Sequence, residues 1–545
     1  DATDPMAERA ATAAAKARSA LDTTPTLLEK WDDFLHYINT ANGLKARSDG
    51  EAILDSGVTP KALYKLTIER PKSLATLHKA RKLADLKSLA DKYLAAVEKG
   101  YIEWRSDPRE IRNSILMIGK SLRGFQVGKA RLKESGEYAI PQMMQYLIDE
   151  KTSPLLRQRI IMTLPDMGHQ AVRAYSVALL AKDTKIVEIM ANALYELQYP
   201  AALPRLREAL LRKDLPKTTV KAIKAAIIAC SPANKDLSGA PVAALFYQQA
   251  IKYYNRDDSL RPDPRFDDAF VWNWKAGTGL EQIAVPREIL CDIYSMRMAK
   301  LTLGYDAKFS PAVPVWLAAT SRREIYLPAG KTDPLWPNSK PKAAFYRLAS
   351  SPQYLMLALT RAMNDNDVPL IKAIITSLGK NTGPSALTKP LPCGTQPLVD
   401  AMTYPERTVR YLAAETLATA MPATQYPGSI SVMPILGDAI RQRGKKYCLL
   451  VANDPTTRNK LKAAIRNAGF EVIEQNDIAK LIVTATNAPG VDIVVTGPAA
   501  PYELVSNLLR RNMAFKYLPV MACKATPKAR DYARKDGKSI LHAPA

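Results

Sequence analysis

Histidine is nearly absent from this chain: four occur among 545 residues, His36, His78, His169 and His542, and no two stand at metal-ligand spacing. The H-E-x-x-H pattern of helical zinc hydrolases is missing. Cysteine is equally sparse, with Cys230, Cys291, Cys393, Cys448 and Cys523 widely separated and no C-x-x-C among them. That spacing signals neither a zinc knuckle nor a redox pair, and it does not argue for a disulfide framework. Long apolar runs are lacking too. "AAIIAC" at 225–230 falls far short of the ~20 residues a spanning helix needs, so membrane insertion is not expected. No serine nucleophile elbow occurs. The stretch "GKSLRGFQVGKARL" (119–132) fails as a phosphate loop, because Gly124 and Gly128 enclose three residues and Ala130 follows Lys129. With no catalytic constellation in view, neither metal nor cofactor is expected, and a non-enzymatic role is.

What the chain does have is positive charge. Lysine and arginine number 77 against 53 acids, a formal charge of +24 with pI near 9.6. An acidic partner such as nucleic acid is one reading. Solvated helix faces are the other, and the scattering of basic residues through stretches such as "KLADLKSLADKYLAAVEKG" favours it. The length suggests about three to four domains. The chain begins at Asp1 rather than methionine. A removed targeting peptide, and with it an exported or cell-envelope location, follows as an expectation, with the cytoplasm as the alternative.

Helical periodicity dominates the first four-fifths. Residues 1–24 are alanine-rich and read as an N-terminal helical arm, and 25–137 as a helical domain. Leu27, Leu28, Trp31, Phe34, Leu35 and Ile38 there fall on one helix face. In 138–235 three stretches align, with Ala139, Ala171 and Ala202 marking starts roughly 31 residues apart. Each begins a helix, reaches a turn near Asp149, Asp183 or Asp214, and starts a second helix. This rhythm resembles the HEAT repeat family, which implies stacked helix pairs, an α-solenoid. It returns in 351–440, where "QPLVDAMTYPERTVRYLAAETLATAMP" (396–422) is the clearest repeat, with Arg410 in its second helix. Between them, 236–350 opens with "APVAALFYQQAIKYYNRDD", similar to tetratricopeptide helices, and is expected to be helical apart from loops. Trp272, Trp274, Trp316 and Trp336 in this region either line a partner-binding surface or fill gaps where helices meet. The loop "PAGKTDPLWPNSKPKAAF" (328–345) reads as an exposed excursion.

From about residue 445 the period changes. "YCLLVA", "FEVIE", "VDIVVTG", "LPVMACKA" and "SILHA" are short strands alternating with helices. A doubly wound parallel sheet of flavodoxin-like type follows. Residues 445–545 resemble the receiver domains of two-component signalling. The resemblance implies two acids after the first strand and an acceptor aspartate after the third, together holding Mg²⁺. It further implies a hydroxyl after the fourth strand and a lysine after the fifth. At these places the chain carries Ala452 and Asn453, Gly497, Lys524 and Ala543. Asp454 survives one place beyond the acid pair, and Asp492 starts the third strand at the opposite end of the sheet. The expectation is a receiver shape without receiver chemistry, a pseudo-receiver, in which Lys524 stands as a fixed cation near a vacated pocket.

The fold class expected is mostly α: a solenoid of HEAT- and tetratricopeptide-like pairs, then a small α/β domain. The function expected is that of a protein–protein interaction scaffold or accessory subunit, with self-assembly included. A basic nucleic-acid binder and a signalling adaptor are the alternatives.

Overall fold

A computed structural model describes residues 25–441, 444–488, 490–498, 500–512, 515, 518–523 and 540–541. The expected N-terminal arm, Lys524, Ala543 and His542 lie outside the described residues. The chain is mostly helical and ends in a small parallel sheet. It forms two compact units: one reaches Ala240 and takes in Phe270–Ile283, and the other comprises Pro241–Ala269 and everything from Ala284 onward. Among the described residues no helix is long and apolar enough to cross a membrane.

The first unit holds two cores. Helix Pro25–Asn39 buries Trp31, Phe34, Leu35 and Ile38, the stripe its spacing predicts, against Gly43–Asp55 and Ser73–Ala80. Two buried polar ties fix the aromatics: Trp31 Nε1 donates to Ser73 Oγ (3.1 Å) and Tyr93 Oη donates to Gly50 O (2.6 Å). The second core runs from Ile111 to Cys230. Here the 138–232 segment forms helix pairs Ile140–Ile148 with Pro154–Thr163, Val172–Ala178 with Thr184–Leu197, and Leu203–Ala209 with Lys217–Cys230. A short 3-10 turn ending at Ala139, Ala171 or Ala202 leads into each pair, and all three alanines are wholly buried. The entering turn thus lies in the core in all three pairs, where a small apolar residue suits. Ser153 and Asp183 cap the second helices of the first two pairs through their side chains. Neighbouring pairs are tied as well: Arg212 Nη1 donates to Ala181 O (2.6 Å) and Thr219 Oγ1 to Glu188 Oε2 (2.7 Å).

One expectation is corrected outright. The segment expected to be helical apart from loops contains a β-hairpin, β1 Asp268–Lys275 and β2 Gly279–Pro286. Its three-residue turn places Gly277 and Gly279 at φ of 88° and 86°, the left-handed region where glycine carries no Cβ penalty. Strand β1 is rich in aromatic and β-branched residues, "AFVW", which favour a half-buried pleated surface. The hairpin also separates, along the chain, helix Val242–Tyr254 from its packing partner, Leu290–Tyr305.

In the second unit Leu290–Tyr305 packs on Ala312–Ile325, followed by Pro352–Asn364, Val368–Asn381, Arg407–Ala420 and Val432–Arg441. Asp367 and Glu406 cap two of these helices, their carboxylates accepting from Leu370 N (3.1 Å) and Val409 N (3.0 Å). The C-terminal sheet contains β3 Lys446–Val451, β4 Phe470–Glu474, β5 Ile493–Thr496, β6 Val520–Ala522 and β7 Ile540–Leu541. All neighbours pair in parallel in the order β4-β3-β5-β6-β7. Apolar clusters lie on both faces, Leu449, Val451 and Val494 on one, Cys448, Leu450 and Val495 on the other. Burial on both faces explains why these strands read as continuous apolar runs. The order in which strands are added reverses between β3 and β5, which makes their carboxyl ends the switch point where such sheets bind ligands.

Candidate functional site: the carboxyl edge of the C-terminal sheet

Strand β3 delivers Ala452 to this edge and β5 delivers Gly497 beside it, joined by Gly497 N donating to Val451 O (2.8 Å). Ala452 is buried in the cluster with Leu450 and Val495, while Asn453 is exposed. The two backbones lie so close that a Cβ on Gly497 would stand 3.0 Å from the Ala452 Cβ. That is tighter than ordinary carbon contact, so a side chain at 497 requires its neighbour to shift. Asp454, the nearest acid, is engaged as the N-cap of helix Pro455–Asn467. Its Oδ2 accepts from Thr457 N (2.7 Å), and its hydrogen bonds to Thr457 hold the carboxyl below the usual aspartate value. Arg458 and Lys462 from the same helix both meet Glu474, at the end of β4. The edge therefore gathers Ala452, Asn453 and Gly497, and the acids beside them, Asp454 and Glu474, are committed to a cap and to ion pairs.

Asp492 lies at the amino edge, as its place at the head of β5 dictates. Its Oδ2 accepts from Tyr447 N (2.7 Å) and its Oδ1 sits 3.2 Å from Arg407 Nε. Arg410, three residues after Arg407, is half-buried. Its Nη1 donates to the carbonyls of Tyr404 and Pro405 (2.7 Å each), and burial lowers its pKa.

The four tryptophans are divided between the units. Trp272 has no exposed surface, and its Nε1 donates to Glu137 Oε2 (3.1 Å), where Arg173 also pairs at 3.2 Å. It is a core residue that pins the hairpin to the first helix pair, and it cannot belong to an accessible partner surface. Trp274 is half-buried against the same core. Trp316 and Trp336, in the second unit, are both half-buried and both meet Tyr346 edge-on, at 5.1 and 5.9 Å between ring centroids.

The glycines of the phosphate-loop-like stretch serve packing. Helices Pro108–Lys120 and Leu122–Ser135 approach so closely that a Cβ on Gly128 would meet Ile118 Cγ2 at 2.6 Å and Ser114 O at 2.7 Å. His169 stacks on Tyr199 at 5.7 Å. Among the described residues no three His, Cys, Asp or Glu side chains gather as a metal site would require.

Sequence reasoning missed a buried charge network in the second unit. Asp292 is wholly buried in helix Leu290–Tyr305; Arg322 Nε lies 3.3 Å from its Oδ1 and 3.5 Å from Asp367 Oδ2, and Arg256 Nη2 lies 3.2 Å from its Oδ2. Arg322 Nη1 also donates to Tyr254 O (3.0 Å), and Tyr326 Oη donates to Asp367 Oδ1 (2.8 Å). Burial pushes the Asp292 carboxyl up, opposed by the charges of Arg322 and Arg256. The available signal was the pair Arg322-Arg323 closing an apolar helix, "AVPVWLAATSRREI", since charges on so buried an element demand partners.

Comparison with models of protein families, with curated proteins and with solved structures finds no match for this chain.

Proposed function

We propose that the chain is a non-catalytic protein–protein interaction scaffold or accessory subunit. In this reading its helix pairs are HEAT- and tetratricopeptide-like and its last domain is a pseudo-receiver. The observation that carries the reading is the carboxyl edge of the sheet. The strand order is that of flavodoxin-like and receiver folds, yet the edge holds a buried Ala452 against Gly497, with Asp454 spent on a cap. A sheet that keeps the architecture of a phosphate switch and lacks its acids offers surface for docking. The helix pairs supply a further surface, each needing neighbours to cover its apolar face.

Two measurements test this. Incubation of the full chain with Mg²⁺ and acetyl phosphate is expected to add no phosphoryl group, by intact mass. Affinity capture from the native source is expected to yield a protein partner at fixed stoichiometry, with binding weakened by deletion of 445–545. Phosphoryl transfer onto any aspartate of the last domain overturns the reading. So does a chain that stays monomeric and captures only nucleic acid, with binding that falls steeply with salt.

A further inference from the structure

Large apolar side chains stand exposed at matching places in the three successive helix pairs of the first unit. Met162, Tyr195 and Ile228 lie in the second helix of each pair, 33 residues apart at both steps, and are 54%, 43% and 37% exposed. The same helices fill the core with other residues, Ile160, Leu194 and Ile227 among them, all wholly buried. Identity changes from pair to pair at the exposed place while apolar character stays. Single exposed apolar residues need no explanation, but one repeated in register marks a contact surface.

Packing brings the three together. Helices Thr184–Leu197 and Lys217–Cys230 run side by side in the same direction. Thr219 and Glu188 tie them near their starts, and Cys230 Sγ donates to Leu194 O (3.4 Å) near their ends. Tyr195 and Ile228 therefore stand at one level on adjacent helices. Thr184–Leu197 also packs on Leu164–Met167, the turn that directly follows Pro154–Thr163 and its Met162.

Charge along these helices is one-sided. They carry six basic residues, Arg157, Arg159, Lys185, Lys217, Lys221 and Lys224, against two acids, Glu188 and Glu196. Arg157 and Arg159 donate to the carbonyls of Asp149 and Ile118, neutral partners that leave their charge uncancelled. Lys224 lies near Asp236, but Lys185, Lys217 and Lys221 are exposed and make no ion pair among the described residues.

We propose that this row docks an acidic amphipathic helix of a partner protein, laid across the three second helices. Neighbouring helices pack ~8–10 Å apart, and seven residues of an α-helix rise ~10.5 Å. An apolar residue at every seventh place thus meets Met162, Tyr195 and Ile228 in turn, while flanking carboxylates face the lysines. The inference rests on the scaffold reading and gives the partner's chemistry and its place of docking.

The test is fluorescence anisotropy of a labelled helical peptide of ~20 residues, long enough to cross three helices. Leucines form one heptad-spaced face, glutamates flank it, and the full chain is the titrant at physiological ionic strength, which suppresses diffuse attraction. One saturable site is expected. It should weaken at least tenfold in Met162→Ser/Tyr195→Ser/Ile228→Ser and in Lys217→Glu/Lys221→Glu, and for a peptide with its leucines scrambled off the face. All five side chains are exposed, so both variants keep the fold. No saturable binding overturns the proposal, as does binding that the triple variant leaves unchanged. A DNA duplex held more tightly than the peptide at the same residues also overturns it. Self-association that the triple variant abolishes would make a second copy the occupant and overturn it too. A partner captured from the native source that the triple variant retains strikes this docking site alone and leaves the scaffold reading in place.

Discussion

Gly100 sits in helix Lys87–Ser106 where it crosses the start of helix Pro60–Glu69. A Cβ there would fall 1.8 Å from Pro60 O and 2.4 Å from Pro60 C, both backbone atoms that no rotamer change can move. Alanine gains ~1 kcal/mol of helix propensity over glycine. Overpacking against backbone costs up to ~3 kcal/mol or more and wins. Gly100→Ala is therefore expected to lower stability by about 2 kcal/mol. Gly437, inside helix Val432–Arg441, has nothing within 4 Å of a built Cβ. Gly437→Ala is expected to raise stability by up to ~1 kcal/mol. Urea midpoints of the two variants should move in opposite directions, and equal shifts would refute the close crossing at Pro60.

Among elements, the Asp292–Arg322–Asp367 network joins helices Leu290–Tyr305, Ala312–Ile325 and Val368–Asn381. Arg322→Met leaves two buried carboxylates facing each other without their shared cation, a loss of about 3–5 kcal/mol. Adding Asp292→Asn removes one of those charges and should restore part of it, a non-additivity read from a double-mutant cycle. The helix Pro455–Asn467 gives a pH test. The Asp454 carboxyl is held below 3.8 by its bonds to Thr457, so its capping contribution is complete above that value and is lost as pH falls through the native pKa. Asp454→Ala should destabilise the chain at neutral pH, with the difference from the parent shrinking in acid. A difference independent of pH would show that the cap does not act through its charge. Both features bear on what the sequence reveals. Local chemistry was legible: Asp183 at a turn between helices, Ala139, Ala171 and Ala202 as period marks, and the strands of the parallel sheet through their unbroken apolar runs. The hairpin was legible in principle, since "AFVWNW" ahead of a glycine turn is a strand signal and its tryptophans stand two apart, the period of a strand, but the helical neighbourhood obscured it. The charge network was not, because its members, from Arg256 to Asp367, are spread along the chain and converge only through tertiary packing.

At the scale of the whole molecule, the division into two units was hidden for the same reason: Phe270–Ile283 belongs by packing with residues before 240, and no composition shift marks that exchange. The site was half legible. The places of Ala452 and Gly497 at the ends of their strands were readable, while the closeness of their backbones and the commitment of Asp454 needed coordinates. Within the second unit, the sheet is joined to the helices through its amino edge. Arg407, at the first turn of Arg407–Ala420, pairs with Asp492 at the head of β5 and donates from Nη2 to Lys445 O, just before β3. Both partners are largely buried, at 10% and 16% side-chain exposure, so solvent screens the pair little. Arg407→Ala leaves Asp492 with its bond from Tyr447 N and no cation, a cost of roughly 3 kcal/mol that falls on the junction rather than on either core. Thermal unfolding should then separate into two transitions, the sheet domain melting apart from the helices. The exchange Arg407→Asp with Asp492→Arg should bring the transitions back together in part, through a coupling energy of at least ~1 kcal/mol. A single transition in Arg407→Ala would mean that the apolar contacts of the junction hold it without the ion pair.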